Sequence, residues 1–197
     1  MLRSYQIRYP MTLFAQHSYS RVMVFIDFRN IYDSCRNFTG SDKVEMDLFR
    51  LTQILVGPRD LMGAYVFDAY IRGYTLDEET KRIHDDLSDN GFRIMNRDSM
   101  VKRDNEYVQK EVDVSLACEM LEHALMNHYD IAIVISGDRD FVPAMQKVQA
   151  AGKRVEVAAF ENVYSTESKR VADVYYLLND VPFLSMSSPI DGGDIDG

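Results

Sequence analysis

Asp130-Ile131-Ala132-Ile133-Val134-Ile135-Ser136-Gly137-Asp138-Arg139-Asp140-Phe141-Val142-Pro143 places a strand, a turn and a helix start in one short stretch. The run 131–135 is apolar without alternation, as expected for a strand covered on both faces, the usual state of a parallel sheet. Gly137 permits the sharp turn. Asp138 or Asp140 can cap the helix that follows, with Pro143 in its first turn. Capping accounts for one of the two acids. A pair of acids flanking an arginine where a buried strand ends also suits a ligand site.

Working outward, residues 21–27 (Arg-Val-Met-Val-Phe-Ile-Asp) repeat the pattern of an apolar strand closed by an acid. Residues 61–70, 92–95 and 154–159 supply further strands. Helical spacing is expected over 30–37, 46–56, 77–90, 111–126, 141–150 and 166–179, the last being a closing helix. In 111–126, Val112, Leu116, Met120 and Ala124 form one apolar stripe. Buried strands alternating with helices give an α/β fold with a mostly parallel sheet covered on both sides. Ligands then gather beyond the carboxyl ends of the strands. The expected organisation is an N-terminal extension (1–20), one domain (21–182) and a flexible acidic Gly/Ser/Asp-rich tail (183–197).

The 197 residues are 46% apolar and 27% charged, a balance that suits a globular core and excludes a disordered chain. Two cysteines, Cys35 and Cys118, make neither a disulfide scaffold nor a thiolate zinc site. His17, His84, His123 and His128 lack HExxH spacing. No stretch reaches the roughly 18 apolar residues of a membrane span, and no signal-peptide core is visible. The expectation is a cytoplasmic protein with no membrane partner. There is no Gly-rich phosphate loop, and so no nucleotide cofactor is expected. A net charge of −9 argues against a basic footprint over the whole chain, leaving room for a local one. Arg93, Arg97, Lys102, Arg103 and Lys110, with Tyr107 among them, form either a solvated loop or a rim that guides RNA. Oligomeric state, homo-oligomers included, stays open.

Asp27 ends a strand expected to be buried, so it must be paired, hydrogen-bonded or bound to a metal. Asn30 can cap the next helix, bond Asp27 or touch a substrate. Asp113 sits in the first turn of its helix, where an acid also suits the dipole. Glu119 falls about 240° further round the helix and does not share its face. If the first and fourth strands are neighbours, Asp27, Asp113, Asp138 and Asp140 converge, and an oxygen-loving Mg²⁺ or Mn²⁺ relieves their repulsion. The chemistry such a site suits is phosphodiester hydrolysis.

The order Asp27…Asn30, Lys110-x-x-Asp113-Val114-x-Leu116-Ala117 and Ser136-Gly137-Asp138-x-Asp140-Phe141-x-Pro143 resembles the NYN domain family of PIN-like nuclease domains, LabA-like proteins included. The resemblance spans roughly residues 20 to 180. It implies a three-layer α/β/α sandwich with sheet order 3-2-1-4-5, a Mg²⁺/Mn²⁺ site and ribonuclease activity. By matching, Asp27, Asp113, Asp138 and Asp140 take the catalytic, metal-holding acidic positions. Asn30, Ser136, Lys110 and Arg139 are then candidates for substrate contact. Three residues depart from the family pattern: Glu111 stands where glycine is common, Glu119 where aspartate is, and Arg139 replaces a small residue. The activity so implied is a metal-dependent endonuclease acting on single-stranded RNA. The alternatives are an RNA-binding or regulatory module without turnover, and a phosphatase like the haloacid dehalogenases. The latter usually needs a later lysine with an acid pair, where residues 155–180 offer Lys169 and Asp173.

Overall fold

Asp27 closes the first strand and also caps the first helix, its Oδ1 accepting the Asn30 N–H at 3.3 Å. The computed structural model describes residues 20–40, 45–69, 78–97, 100–103, 106–109, 111–163 and 165–185. In chain order, β1 (Arg21–Asp27) leads into α1 (Phe28–Thr39), which begins two residues before the helix expected from the sequence. Next come β2 (Glu45–Met46), α2 (Leu48–Val56), β3 (Asp60–Ala69), α3 (Glu78–Asp89) and β4 (Arg93–Arg97). The strands β5 (Met100–Arg103) and β6 (Glu106–Gln109) pair as an antiparallel hairpin where the sequence suggests a loop or rim. After it follow α4 (Glu111–Leu125), β7 (Ile131–Ile135), α5 (Val142–Ala150), β8 (Arg154–Ala159), α6 (Thr166–Val171), β9 (Val174–Leu177) and β10 (Leu184–Ser185).

The main sheet runs β4-β3-β1-β7-β8-β9, with every pair parallel. Counted along the sheet-forming strands, this order is 3-2-1-4-5-6. The first five match the expected order, and the sixth replaces much of the closing helix. That helix stops at Val171, because Ala172 turns extended and Val174-Tyr175-Tyr176, residues that suit a pleated surface, pair with β8. Asp173 anchors the change by accepting the Val155 N–H at 2.8 Å.

Alternation along the strands divides the core into two layers. Val22, Val24 and Ile26 face Ile31 and Cys35 of α1 and Leu51 and Leu55 of α2. Met23 and Phe25 face the other way, onto Val112, Leu116 and Met120 of α4 and Met145 and Val148 of α5. The same parity puts Asp27 in register with Met23 and Phe25, on the layer that carries Asp113. Burying each such Leu, Ile or Phe contributes about 1.5–3 kcal/mol. The one acid inside β8, Glu156, is buried and neutralised by Arg59 Nη1 at 2.7 Å, with the Tyr176 hydroxyl donating at 3.0 Å. Phe183 is buried and Leu184–Ser185 pairs with β2, so packed chain continues past residue 182. Residues 1–19 and 186–197, which hold most of the expected extension and tail, lie outside the described residues. Among the described residues no helix is long and apolar enough to cross a membrane.

Candidate active site

At the carboxyl edge of the sheet, β1 and β7 end side by side, with Ile26 opposite Ile135. Continuing that register brings Asp27 beside Ser136. The Ser136 hydroxyl donates to Asp27 Oδ2 at 3.0 Å, while its oxygen accepts the Asp138 N–H at 3.1 Å. Asp27 is only 4% exposed. Burial pushes its carboxyl up to about 7; the bonds from Asn30 and Ser136 pull the other way, and the charges of Asp113 and Asp138 add to the rise.

Asn30 does not cap α1, since Asp27 does. Its side-chain oxygen instead accepts the Gly137 N–H at 2.9 Å and ties the first turn of α1 to the loop after β7. Gly137 has no room for a side chain: a Cβ there would lie 2.4 Å from the Val163 carbonyl oxygen. The glycine therefore serves a close backbone approach as well as the turn.

Asp138 is half-buried and, as the capping reading expected, accepts the Asp140 N–H at 2.9 Å at the start of a 3-10 turn (Arg139–Phe141). Asp113, in the first turn of α4, is pushed up to about 6 by burial first, then by the charges of Asp138 and Asp140. Asp27, Asp113 and Asp138 thus act on one another electrostatically. Asp140 reaches the group through Asp113 but is itself exposed. Arg139 is exposed beside it, 4.0 Å from its carboxylate. Lys110 lies outside the described residues. Glu119 stands away from the acids, as its helical angle requires, with Oε2 3.6 Å from His123 Nε2.

The donors are all carboxylate, hydroxyl and amide oxygens, a set that suits a hard divalent cation. Among the described residues no three Asp, Glu, His or Cys side chains stand close enough together to hold a metal ion. Mg²⁺ does not demand such a cage, because it keeps several waters and takes one or two carboxylates plus substrate phosphate oxygens. Two neighbouring carboxyls held above their usual range also fit it, because a cation favours their ionised form.

A cleft of about 490 Å³ opens beside Asp138, lined by Asn30, Asp138, Arg139, Ser165, Thr166 and Glu167 among others. Ser165–Glu167 was not foreseen. The available signal was positional: residues 160–165 follow the carboxyl end of β8, on the edge where ligands gather. Arg93, by contrast, is one of the bases for which the sequence allows either a solvated loop or an RNA-guiding rim. It begins β4, stacks over the Tyr65 ring at 5.1 Å and donates to the Tyr65 hydroxyl. A further acid of this edge, Asp68 at the end of β3, is fully buried against Arg29 Nε at 2.8 Å, with His84 Nε2 3.1 Å from its other oxygen.

Comparison with known proteins adds a family and a fold. The model of the NYN domain matches residues 21–179. A crystal structure of a protein of unknown function from Vibrio parahaemolyticus has a TM-score of 0.70 to this chain at 22% identity. It covers 84% of this chain and 96% of that one, a likeness of fold. No curated protein matches the chain.

Proposed function

The chain belongs to the NYN domain family of PIN-like nuclease domains, and from that premise we propose that it is a Mg²⁺- or Mn²⁺-dependent ribonuclease, an endonuclease on single-stranded RNA. The observation that carries this reading is the gathering of acids at the carboxyl edge of a parallel sheet, where Asp27 and Asp113 are raised first by burial and then by neighbouring carboxylates, Asp138 acting on both. Asp27, Asp113 and Asp138 would hold the cation, with Asp140 at the rim. Such an ion, when bound, supplies Lewis acidity toward a phosphate oxygen and lowers the pKa of a bound water.

The chain's own groups have separate tasks. Ser136 Oγ and the Asn30 N–H fix the rotamer of Asp27. Without the cation the Asp113 carboxyl is pushed up to about 6, so it keeps a proton that cation binding would displace. The Arg139 guanidinium, exposed at the cleft, meets a substrate phosphate as a planar donor; Lys110, outside the described residues, is a candidate for the same backbone from its sequence motif alone. With one cysteine buried and the other exposed and unbridged, the chain suits a reducing cytoplasm.

The decisive substrate is a circular single-stranded RNA, which has no ends. Linearisation in Mg²⁺ or Mn²⁺, with no hydrolysis of a small phosphomonoester, supports the endonuclease. An intact circle excludes it. One observation favours a second reading, an RNA-binding module without turnover: among the described residues no three Asp, Glu, His or Cys side chains stand close enough together to hold a metal ion. RNA binding with no product would favour that module. The family assignment removes the ground for the phosphatase alternative.

A further inference from the structure

The wall of the cleft facing Asp138 belongs to the segment between β8 and β9, to which the site chemistry above assigns no task. That wall is held rigidly. Val163 presses on Gly137, the Asn162 side-chain amide donates to the Ser34 carbonyl at 3.1 Å, and the Ser168 hydroxyl lies 3.4 Å from the Asp138 carbonyl oxygen. Ser165 caps α6 by accepting the N–H groups of Glu167 and Ser168 at 3.1 and 3.3 Å, which leaves Thr166 and Glu167 exposed on the rim. One packing contact, one amide bridge and one hydroxyl bridge therefore tie the segment that carries Glu167 to α1 and to the turn that bears Asp138.

The two walls differ in chemistry. On one, the Asn30 side-chain oxygen is committed to Gly137, so its NH₂ group and the Arg139 guanidinium are donors. Glu167 lines the same cleft, and its carboxylate is an acceptor only. Its position in the first turn of α6 has a plain explanation in the helix dipole, but α6 has only six residues. The dipole also gives no reason for the acid to line a cleft that already holds the Asp138 carboxylate, where it adds repulsion toward a polyanion. A ligand with a phosphate at one end and a hydroxyl donor at the other resolves this. In a ribonucleotide those groups are the backbone phosphate and the 2′-OH, and a cleft of about 490 Å³ accepts one nucleotide.

We propose that this cleft is a ribonucleotide subsite in which Glu167 accepts a hydrogen bond from a substrate 2′-OH and so selects RNA over DNA. The inference rests on the ribonuclease reading for its substrate class, but binding alone tests it. The experiment measures affinity for a short single-stranded RNA and for the deoxy strand of the same sequence, with Ca²⁺ in place of Mg²⁺. Wild type should prefer RNA by about tenfold or more, the value of one hydrogen bond to a charged acceptor. Glu167→Ala should bring the ratio close to one, and Glu167→Gln, which keeps an acceptor oxygen, should restore part of it. Because removing a negative charge strengthens binding of both strands, the ratio is the readout.

An unchanged ratio in Glu167→Ala, or no preference in wild type, overturns the subsite. So does failure to bind either strand. If Glu167→Ala cleaves RNA but not DNA with wild-type selectivity, the subsite falls and the ribonuclease stands. If wild type cleaves no RNA, the ribonuclease falls while the binding ratio still decides the subsite.

Discussion

The Ser136 hydroxyl donates to Asp27 Oδ2 at 3.0 Å, joining residues 109 positions apart in the chain. The bond follows from strand register: Ile26 pairs with Ile135, and the next residue on each strand points into the α4 layer. A buried carboxylate is thereby held in one rotamer beside Asp113 and Asp138. Three tests of this arrangement, and one of its basic neighbour, follow from the geometry.

Ser136→Ala removes a bond that favours the ionised form of Asp27 and leaves the Asp138 N–H without its acceptor. The Asp27 carboxyl should move further up from about 7. The acid limb of the rate–pH profile should shift alkaline, and stability at neutral pH should fall by about 1–3 kcal/mol. A profile superimposable on wild type would show that the hydroxyl does not tune Asp27.

In the metal-free protein, Asp27 keeps its proton to about 7 and Asp113 to about 6, whereas in the unfolded chain both lose it near 4. Between those values the folded state binds more protons, so stability falls as pH rises from about 4 to about 7. Asp27→Asn should remove most of that slope and stabilise the apo protein at neutral pH by on the order of 2–4 kcal/mol. Mg²⁺ should flatten the wild-type slope and have little effect on Asp27→Asn. Thermal melts across this range, with and without Mg²⁺, measure both effects.

Gly137→Ala forces a Cβ to within 2.4 Å of the Val163 carbonyl, a backbone atom with little room to yield. The expected cost is about 1–3 kcal/mol, with RNA cleavage lost through displacement of Asp138 or of the cleft wall. Unfolding and activity assays on the same preparation check it; a silent substitution would show that the two loops are not locked.

Arg139 and Asp140 are both largely exposed and 4.0 Å apart, so their pairing contributes little to stability. Arg139→Ala should leave the melting temperature unchanged while weakening RNA binding and flattening its salt dependence. Equal affinity and slope in the variant would place Arg139 outside the substrate path.

Much of the fold was legible because its strands are buried on both faces. Val22 to Ile26 and Ile131 to Ile135 read as strands from apolar character alone, and the acids that follow them marked the functional edge. The stretch after Thr166 was not legible. Val174–Leu177 is only half-buried, so its apolar residues suit a helix or an edge strand, and the parallel partner β8 decides between them. For Asn30 the sequence leaves a cap, a bond to Asp27 and a substrate contact open, because each is local. Its real partner, Gly137, lies 107 residues away and becomes visible only once β1 and β7 are adjacent. Glu167 escaped for the same reason, since nothing local distinguishes it from any acid in a first turn.

The central claim, RNA hydrolysis by a divalent ion held among Asp27, Asp113 and Asp138, is tested most directly by the initial rate of cleavage of an end-labelled single-stranded RNA as Mn²⁺ is titrated into wild type and Asp27→Asn. Wild type should show no cleavage in chelator and saturable activation by Mn²⁺, and the folded Asp27→Asn variant should stay near the baseline throughout. A wild-type rate indifferent to Mn²⁺, or an Asp27→Asn titration with the wild-type midpoint and amplitude, would contradict it.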